Sequence, residues 1–234
     1  MKTRFASTNN MRAIVNSTIA FLSLFGILFI GTQIAAAAGT NHETLAAKNL
    51  EAEQMLTNLG YWITRVDTKR DDSTRQAIAA FQKVEGLKRT GVLTDALLEK
   101  MRTATRPTAK YGGEAHVEID ISRQVIFLVD GDGLVTKILS TSTGSEQRYE
   151  SEGKWETAHT PRGAFKITRQ IKGTRKAPLG TIYNPSYFLN GFAIHGSGSV
   201  PFTAASHGCA RIPRFADKDF SDMLIVGMPV YVYD

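Results

Sequence analysis

The sequence contains a single cysteine, Cys209, among 234 residues. An intramolecular disulfide is therefore excluded, and so are the Cys-x-x-Cys pairs of redox and zinc sites. No Gly-x-Ser-x-Gly motif occurs either, so the serine nucleophile of the α/β-hydrolases is not indicated. Cys209 is thus a free thiol whose presence needs an explanation.

A strong charge of one sign is also absent. The chain has 28 Lys and Arg residues against 22 Asp and Glu residues. Three of the basic residues (Lys2, Arg4 and Arg12) precede an apolar N-terminal run, and without them the excess falls to three. Nucleic-acid binding needs a dense basic stripe, so nucleic acid is not expected as a partner. A mildly basic chain suits work near an anionic surface.

Acidic residues are missing from residues 1–38. The three basic residues there are followed by an apolar run from Ile19 to Ile30 and by four alanines at 35–38. This order predicts a secretory signal peptide. An uncleaved membrane anchor is the alternative, although the run is shorter than the ~20 residues that span a bilayer. In both cases the remaining chain is exported, and only this segment is expected to contact a membrane.

Residues 45–103 lack strand-like alternation and have apolar residues at helical spacing. Leu50, Met55 and Leu59 belong to a first helix that Gly60 is placed to end. A second helix is predicted over Thr74 to Val84, with Asp72 or Ser73 as its cap, and a third after Thr94. The region therefore predicts a small all-α domain of three helices.

The amino-acid motifs of this region are more specific than its helical spacing. It contains Leu59-Gly60-Tyr61, Thr74-x-x-Ala77-Ile78-x-x-Phe81-Gln82 and Thr90-Gly91-Val92-Leu93. These segments resemble the peptidoglycan-binding type 1 domain, a three-helix module that binds cell-wall muropeptide. Where that family usually has Asp-Gly-x-x-Gly before its second helix, this chain has Asp67 to Asp72.

Residues 104–114 contain Pro107, Gly112 and Gly113 without apolar periodicity and predict a linker. From there, residues 115–234 alternate with a period of two, which predicts a mainly β domain, a sandwich or a barrel. The predicted strands are listed by range: 116–121, 124–129, 134–139, 165–167, 192–194 and 229–233. A helix is predicted only at 214–224, with its acids, including Asp217, on a solvated face. The acids Glu146, Glu150 and Glu156 are expected in a loop.

The densest chemistry lies in two segments, Ile194 to Ser197 and Ala205 to Ile212. A cysteine nucleophile needs a base to form its thiolate, and both His195 and His207 are candidates. Gly208 permits a tight turn whose N–H groups face a developing oxyanion. Arg211 supplies a fixed charge for the thiolate or a substrate carboxylate. A zinc site of His195, His207 and Cys209 lacks a fourth ligand.

Ser206-His207-Gly208-Cys209-x-Arg211, with Ile194-His195-Gly196-Ser197 before it, resembles the L,D-transpeptidase catalytic domain of the YkuD family. Ser142-Thr143-Gly144 and Thr160-Pro161-Arg162-Gly163-x-Phe165 resemble the same family, so that the resemblance extends from about His116 to the C-terminus. A wall-binding module is a common companion of this domain.

The resemblance implies a β-sandwich with the cysteine loop at one edge and a cysteine acyltransferase that needs no metal or cofactor. Cys209 is then the nucleophile and His195 the base, oriented by the carbonyl of Gly196. Ser206, His207 and Gly208 shape the loop, with Gly208 and Cys209 N–H as oxyanion donors. Arg211 and Tyr183 are the candidate substrate-binding residues, although core packing is the alternative for Tyr183.

The implied partners are peptidoglycan stem peptides. A tetrapeptide stem would lose its D-alanine to form a thioester on Cys209, and an amine of a second stem would resolve it to a 3→3 crosslink. The implied location is the periplasm or cell wall, and a monomer is expected. Two alternatives remain open: an L,D-carboxypeptidase or thiol hydrolase of the same fold, and a non-catalytic wall-binding protein.

Overall fold

The computed structural model describes residues 44–234. The predicted export segment, 1–38, lies outside the described residues. Within 44–234, no helix is long and apolar enough to cross a lipid bilayer.

The three helices predicted for the N-terminal domain are present. The described part of α1 covers 44–58, α2 covers Asp72–Val84 and α3 covers Asp95–Thr103. Gly60 follows α1 with a φ of 95°, a left-handed conformation that favours glycine. Thr94 caps α3 as predicted. The cap of α2 is instead Asp71, whose carboxylate accepts a hydrogen bond from Thr74 N–H.

The rest of the described chain is mainly β, which confirms the predicted fold class. One sheet has the strand order β3-β2-β1-β12-β6, a second has β11-β10-β9-β7 with β8 beside β9, and β4 pairs with β5 alone. The single helix of this part, α4, covers Arg214–Met223. The strands are β1 His116–Asp120, β2 Val125–Val129, β3 Val135–Ser140, β4 Arg148–Ser151, β5 Lys154–Thr157, β6 Gly163–Lys166, β7 Arg169–Gln170, β8 Thr174–Ala177, β9 Gly180–Leu189, β10 Phe192–Ser197, β11 Ala210–Pro213 and β12 Pro229–Tyr233.

A first hydrophobic core joins the two larger sheets and α4. Its buried members include Val117 and Ile119 of β1, Ile194 of β10, Ile212 of β11 and Phe220 of α4. Because alternate residues of a strand point to opposite faces, these residues leave the other face of each strand for other contacts. The resulting arrangement is a β-sandwich, and β11 forms one edge of its second sheet.

A second core lies on the opposite face of the first sheet, where the helices pack. β2 serves both cores: Ile126 and Leu128 belong to the first, whereas Val125, Phe127 and Val129 belong to the second. The helices contribute residues that include Leu56, Ile78, Phe81, Leu98 and Met101. Burial on both faces explains why β2 is an unbroken apolar run. Residues from Lys48 to Asp234 accordingly form one compact unit.

The segment 104–114 has no helix or strand, but its side chains make specific contacts. Arg106 donates hydrogen bonds to the carbonyl oxygens of Val135 (2.9 Å) and Asn58 (2.5 Å). The ring of Tyr111 stacks on that of Tyr231 with their centroids 4.3 Å apart. These contacts tie the segment to both parts of the chain. The division into 45–103, 104–114 and 115–234 stays a prediction.

Besides the short strand β11, two β regions were not predicted. The hairpin of β4 and β5, residues 148–157, occupies the region where Glu150 and Glu156 were expected in a loop. The three strands β7, β8 and β9 follow it. Most of these residues are at least partly exposed, so their sequence lacks the apolar alternation that marks a half-buried strand.

A shared second core predicts that the helices and the first sheet unfold together. Phe81→Ala removes a ring that is 1% exposed, and we expect it to lower the free energy of unfolding by about 3–5 kcal/mol. Denaturant unfolding followed by far-UV circular dichroism and by tryptophan fluorescence should show one coincident transition at a lower midpoint. Val92→Ala, at a position that is 44% exposed, serves as the control. Two separated transitions would contradict a shared core.

Candidate active site

The parallel strands β10 and β11 carry the candidate residues. In their register His195 pairs with Arg211 and Ile194 with Ala210. Cys209 directly precedes β11 and so lies beside Ala193, whose backbone hydrogen-bonds its sulfur. Residues two apart on a strand share a face. His195 and Cys209 are therefore diagonal neighbours on one face, a separation that side chains can bridge.

The sulfur of Cys209 is shielded from solvent. The residue is partly exposed, and its Sγ lies 3.7 Å from the carbonyl oxygen of Gly191, to which the thiol donates. Burial of the sulfur raises the pKa of the Cys209 thiol, against the opposing effects of the Ala193 backbone and the Arg211 guanidinium. The thiol therefore keeps its proton at neutral pH and needs a base to become a nucleophile.

His195 is oriented by its own strand. The ring is 5% exposed, and Nδ1 lies 2.8 Å from the carbonyl oxygen of Gly196. A carbonyl only accepts, so Nδ1 carries the hydrogen and Nε2 keeps its lone pair. Burial is the main cause that lowers the pKa of His195; Arg211 acts in the same direction, while the Gly196 hydrogen bond and Asp217 oppose it. The imidazole is thus neutral at neutral pH, as a general base requires.

Because Gly196 has no side chain, the carboxylate of Asp217 can lie close to His195. A Cβ at this position would collide with the side chain of Asp217, which is 3% exposed. That carboxylate accepts hydrogen bonds from Arg214 and from Asn184 Nδ2. Asp217 was predicted on a solvated helix face, and this prediction was wrong, because α4 turns its first turn toward β10.

The turn before Cys209 is held by Ser206. Its Oγ accepts a hydrogen bond from Gly208 N–H (2.9 Å) and donates one to the carbonyl of Cys209 (2.6 Å). Thr160 Oγ1 donates to the carbonyl of Gly208 at 2.7 Å. Gly208 has a φ of 139°, and a Cβ there would lie 2.6 Å from a ring carbon of Phe192. Its N–H is engaged within the turn, which argues against the expectation that it donates to an oxyanion.

His207, within this turn, is exposed and contacts the β4–β5 hairpin. Its ring contacts that of Tyr149, with the centroids 4.6 Å apart. Tyr149 in turn donates a hydrogen bond to Glu156 at 2.8 Å. Burial is the main cause that raises the pKa of Tyr149, and Glu156 and Cys209 add to it. The hairpin thus brings a tyrosine close to the thiol.

Arg211 and Tyr183 differ in their surroundings. The Arg211 backbone pairs with Ser142 through both N–H and C=O, while its guanidinium forms no ion pair within residues 44–234 and carries its charge toward Cys209. Tyr183 lies opposite Gly196 in the sheet, and the Arg214 guanidinium covers its ring at 3.5 Å. This contact favours the packing alternative for Tyr183.

Two family models match the sequence. The model of the L,D-transpeptidase catalytic domain (YkuD) matches residues 114–232, more than half of the chain. The chain belongs to this family. The model of the putative peptidoglycan binding domain matches residues 50–101, so this L,D-transpeptidase combines both predicted modules.

A solved structure supports this assignment. The L,D-transpeptidase from Xylanimonas cellulosilytica DSM 15894 is 35% identical, covers 79% of this chain and 92% of its own, and has a TM-score of 0.73. The L,D-transpeptidase from Stackebrandtia nassauensis is 22% identical, covers 80% of this chain and 90% of its own, and has a TM-score of 0.47. No curated protein matches. The family supports a cell-wall transpeptidase that acts on peptidoglycan, in the cell wall or periplasm.

Sequence reasoning missed three residues that contribute to the geometry of the candidate site. Tyr149 belongs to a hairpin without a strand pattern, and Asp217 looked like one of several surface acids. Thr160 was quoted only as part of a family motif, and its hydroxyl holds both Gly208 and Gly144. The motif match was the one available clue to Thr160; no sequence pattern indicated the other two.

The turn predicts different effects for two glycines of one loop. Gly208→Ala forces a side chain into a left-handed φ and against Phe192, so we expect it to lower the free energy of unfolding by about 1–3 kcal/mol and to reduce alkylation of Cys209 by iodoacetamide. Gly198→Ala, where a Cβ meets open space, should leave both unchanged. Thermal unfolding and the alkylation rate measure these effects. Equal behaviour of the two variants would contradict the assigned turn geometry.

Proposed function

We propose that this protein is a peptidoglycan L,D-transpeptidase in which Cys209 is the nucleophile and His195 the general base. The observation that carries the proposal is the state of the pair: a protonated thiol and a neutral imidazole with a free Nε2, on one face of adjacent strands. The two groups are not hydrogen-bonded to each other in the described residues. Catalytic hydrogen bonds often tighten only when substrate binds.

The first half-reaction acylates the enzyme. Nε2 of His195 takes the thiol proton as Sγ of Cys209 attacks the carbonyl carbon between residues three and four of a tetrapeptide stem. The tetrahedral intermediate collapses as the bond to the terminal D-alanine breaks, and His195 returns the proton to the leaving amine. The product is a thioester on Cys209 and free D-alanine.

The second half-reaction transfers the acyl group. An amine of a second stem gives a proton to His195 and attacks the thioester, and the sulfur leaves and regains a proton. The result is a 3→3 crosslink. Water in place of the amine would make the protein an L,D-carboxypeptidase, and no contact described here favours that alternative.

Backbone and arginine groups complete the proposed site. Gly208 N–H is engaged by Ser206, so the N–H of Cys209 is the proposed oxyanion donor, and Ser206 and Gly208 shape the turn. Arg211 offers a guanidinium without a carboxylate partner in residues 44–234 and so suits a stem carboxylate. His207, exposed beside Tyr149, lines the approach to the thiol. No metal or cofactor takes part in any step.

The covalent step predicts a mass change that depends on Cys209. Wild-type protein mixed with a disaccharide-tetrapeptide should gain the mass of the disaccharide-tripeptide acyl group, and Cys209→Ala should gain none because it has no sulfur. Intact-mass spectrometry measures the adduct, and the product masses show whether amine or water resolves it. Ser197→Ala, on the same strand as His195, is the matched control and should form the adduct. Crosslinking by Cys209→Ala would contradict the mechanism.

The proposed role of His195 as the general base predicts that His195→Ala lowers the alkylation rate of Cys209 in a pH-dependent way. Because burial raises the pKa of Cys209, loss of the base should slow alkylation at pH 7 by about tenfold or more, and the gap should narrow as pH rises and the thiol ionises unaided. The rate of iodoacetamide labelling against pH measures this. His207→Ala, also in the loop but exposed, should label at nearly the wild-type rate. The opposite ranking would make His207 the base.

A further inference from the structure

A lysine of the helical module is buried against the catalytic sheet. Lys83, in the last turn of α2, is 1% exposed. Its Nζ donates three hydrogen bonds, to Gln124 O (2.9 Å), Ser140 Oγ (2.8 Å) and Thr141 O (3.0 Å). Burying a charged or polar amine is costly unless every donor is used. Three acceptors converge on this one side chain, so the contact is specific.

The acceptors lie on two segments, at Gln124 and at 140–141, that support the turn before Cys209. The side chain of Gln124 makes two hydrogen bonds to Thr143: Oε1 accepts from Thr143 N–H (2.9 Å), and Nε2 donates to Thr143 Oγ1 (2.6 Å). The carbonyl of Thr143 accepts from the N–H groups of Ala205 (3.0 Å) and Ser206 (2.9 Å). Ser206 then holds Gly208 and Cys209. An unbroken series of hydrogen bonds thus joins Lys83 to the turn.

A second branch reaches the other side of Cys209. Thr141, whose carbonyl accepts from Lys83, donates its Oγ1 hydrogen bond to the carbonyl of Arg211 at 2.7 Å. Ser142 pairs with the Arg211 backbone at 3.1 and 3.2 Å. The residues on both sides of Cys209 are therefore fixed by the short segment that Lys83 holds.

The loop between His195 and Cys209 also rests on the helical module. Gln76 Nε2 of α2 donates to the carbonyl of Val200 at 3.0 Å. The ring of Phe202 lies 4.6 Å below the guanidinium of Arg75. A Cβ at Gly91 would lie 2.8 Å from that ring. The module thus contacts the site at two places, the segment 140–141 and the loop between His195 and Cys209.

We propose that Lys83 is a positioning residue for the nucleophile, and that the peptidoglycan-binding module is through it a structural part of the catalytic site rather than only a wall attachment. The proposal rests on the proposed role of Cys209. Lys83 touches no substrate; it fixes the segment 140–143, which fixes the turn that aims Sγ.

The test compares two buried positions of α2 in the full chain. Lys83→Met keeps the volume and removes the three hydrogen bonds, whereas Phe81→Leu weakens packing and leaves them. Iodoacetamide labelling of Cys209 at pH 7 should fall at least fivefold in Lys83→Met and stay near the wild-type rate in Phe81→Leu, even where the two have similar unfolding midpoints. General loosening would expose the thiol and speed labelling. An unchanged or faster rate in Lys83→Met overturns the proposal.

A second experiment tests the series of hydrogen bonds that joins Lys83 to the turn. Ser206→Ala removes the hydroxyl that holds the turn at the end of the first branch, so Lys83→Met should slow labelling by a smaller factor in that background than in wild type, and fully additive slowing overturns the proposed route. If Lys83→Met does not fold, Ser140→Ala removes one of the three Lys83 hydrogen bonds and Thr141→Val removes the side-chain link of the second branch. Each should slow labelling, and wild-type rates in both overturn the proposal. Labelling needs no peptidoglycan, so a failure of transpeptidation is distinguishable from a failure of positioning.

Discussion

The parallel pairing of β10 with β11 is the constraint on which the site depends. Parallel neighbours need a crossover connection, usually a dozen or more residues with a helix. Here the connection from 198 to 209 is near the lower limit and has no helix, and the proposed nucleophile, Cys209, lies at its end. A loop without regular structure does not pair its backbone groups with one another, so they need other partners. Its N–H donors bind the Thr143 carbonyl and the Ser206 side chain, and its carbonyl oxygens accept from the side chains of Thr160 and Gln76.

Burial acts on the two reactive groups in opposite ways. It lowers the pKa of His195 and raises that of Cys209, so both groups are uncharged before substrate arrives. The Asp217 carboxylate beneath Gly196 opposes the first shift, and the Arg211 guanidinium opposes the second. These two charges flank the pair and would stabilise an imidazolium and a thiolate once the proton moves.

Local patterns in the sequence predicted the elements that one core or motif specifies. β1, β2 and β12 follow from alternation or apolar runs, and the Ser206-His207-Gly208-Cys209 motif indicated the centre of the candidate site. The burial of Asp217 depends on how α4 packs on β10, and Tyr149 reaches His207 only through a hairpin that is largely exposed. Contacts of this kind join residues far apart in the chain, and no periodicity records them.

The burial of Lys83 is another contact that the sequence pattern does not predict. Within its helix it looks like a basic residue of the last turn, where Lys favours the helix dipole. Its burial follows from the docking of α2 on β3, and the pKa of its amine is lowered to about 7 mainly by that burial, with Arg89 adding to it. The family match at 50–101 describes the module and carries no information on this contact.

The burial of β2 on both faces limits how the helical part and the β part of this protein can be exchanged between chains. Val125, Phe127 and Val129 would become solvent-facing if the β part were expressed or transplanted without its helices, and an exposed apolar strand face invites aggregation. The border between the two family matches is therefore not a border between two independently exchangeable parts. Any chimera of this protein has to inherit α2 together with the strand it covers.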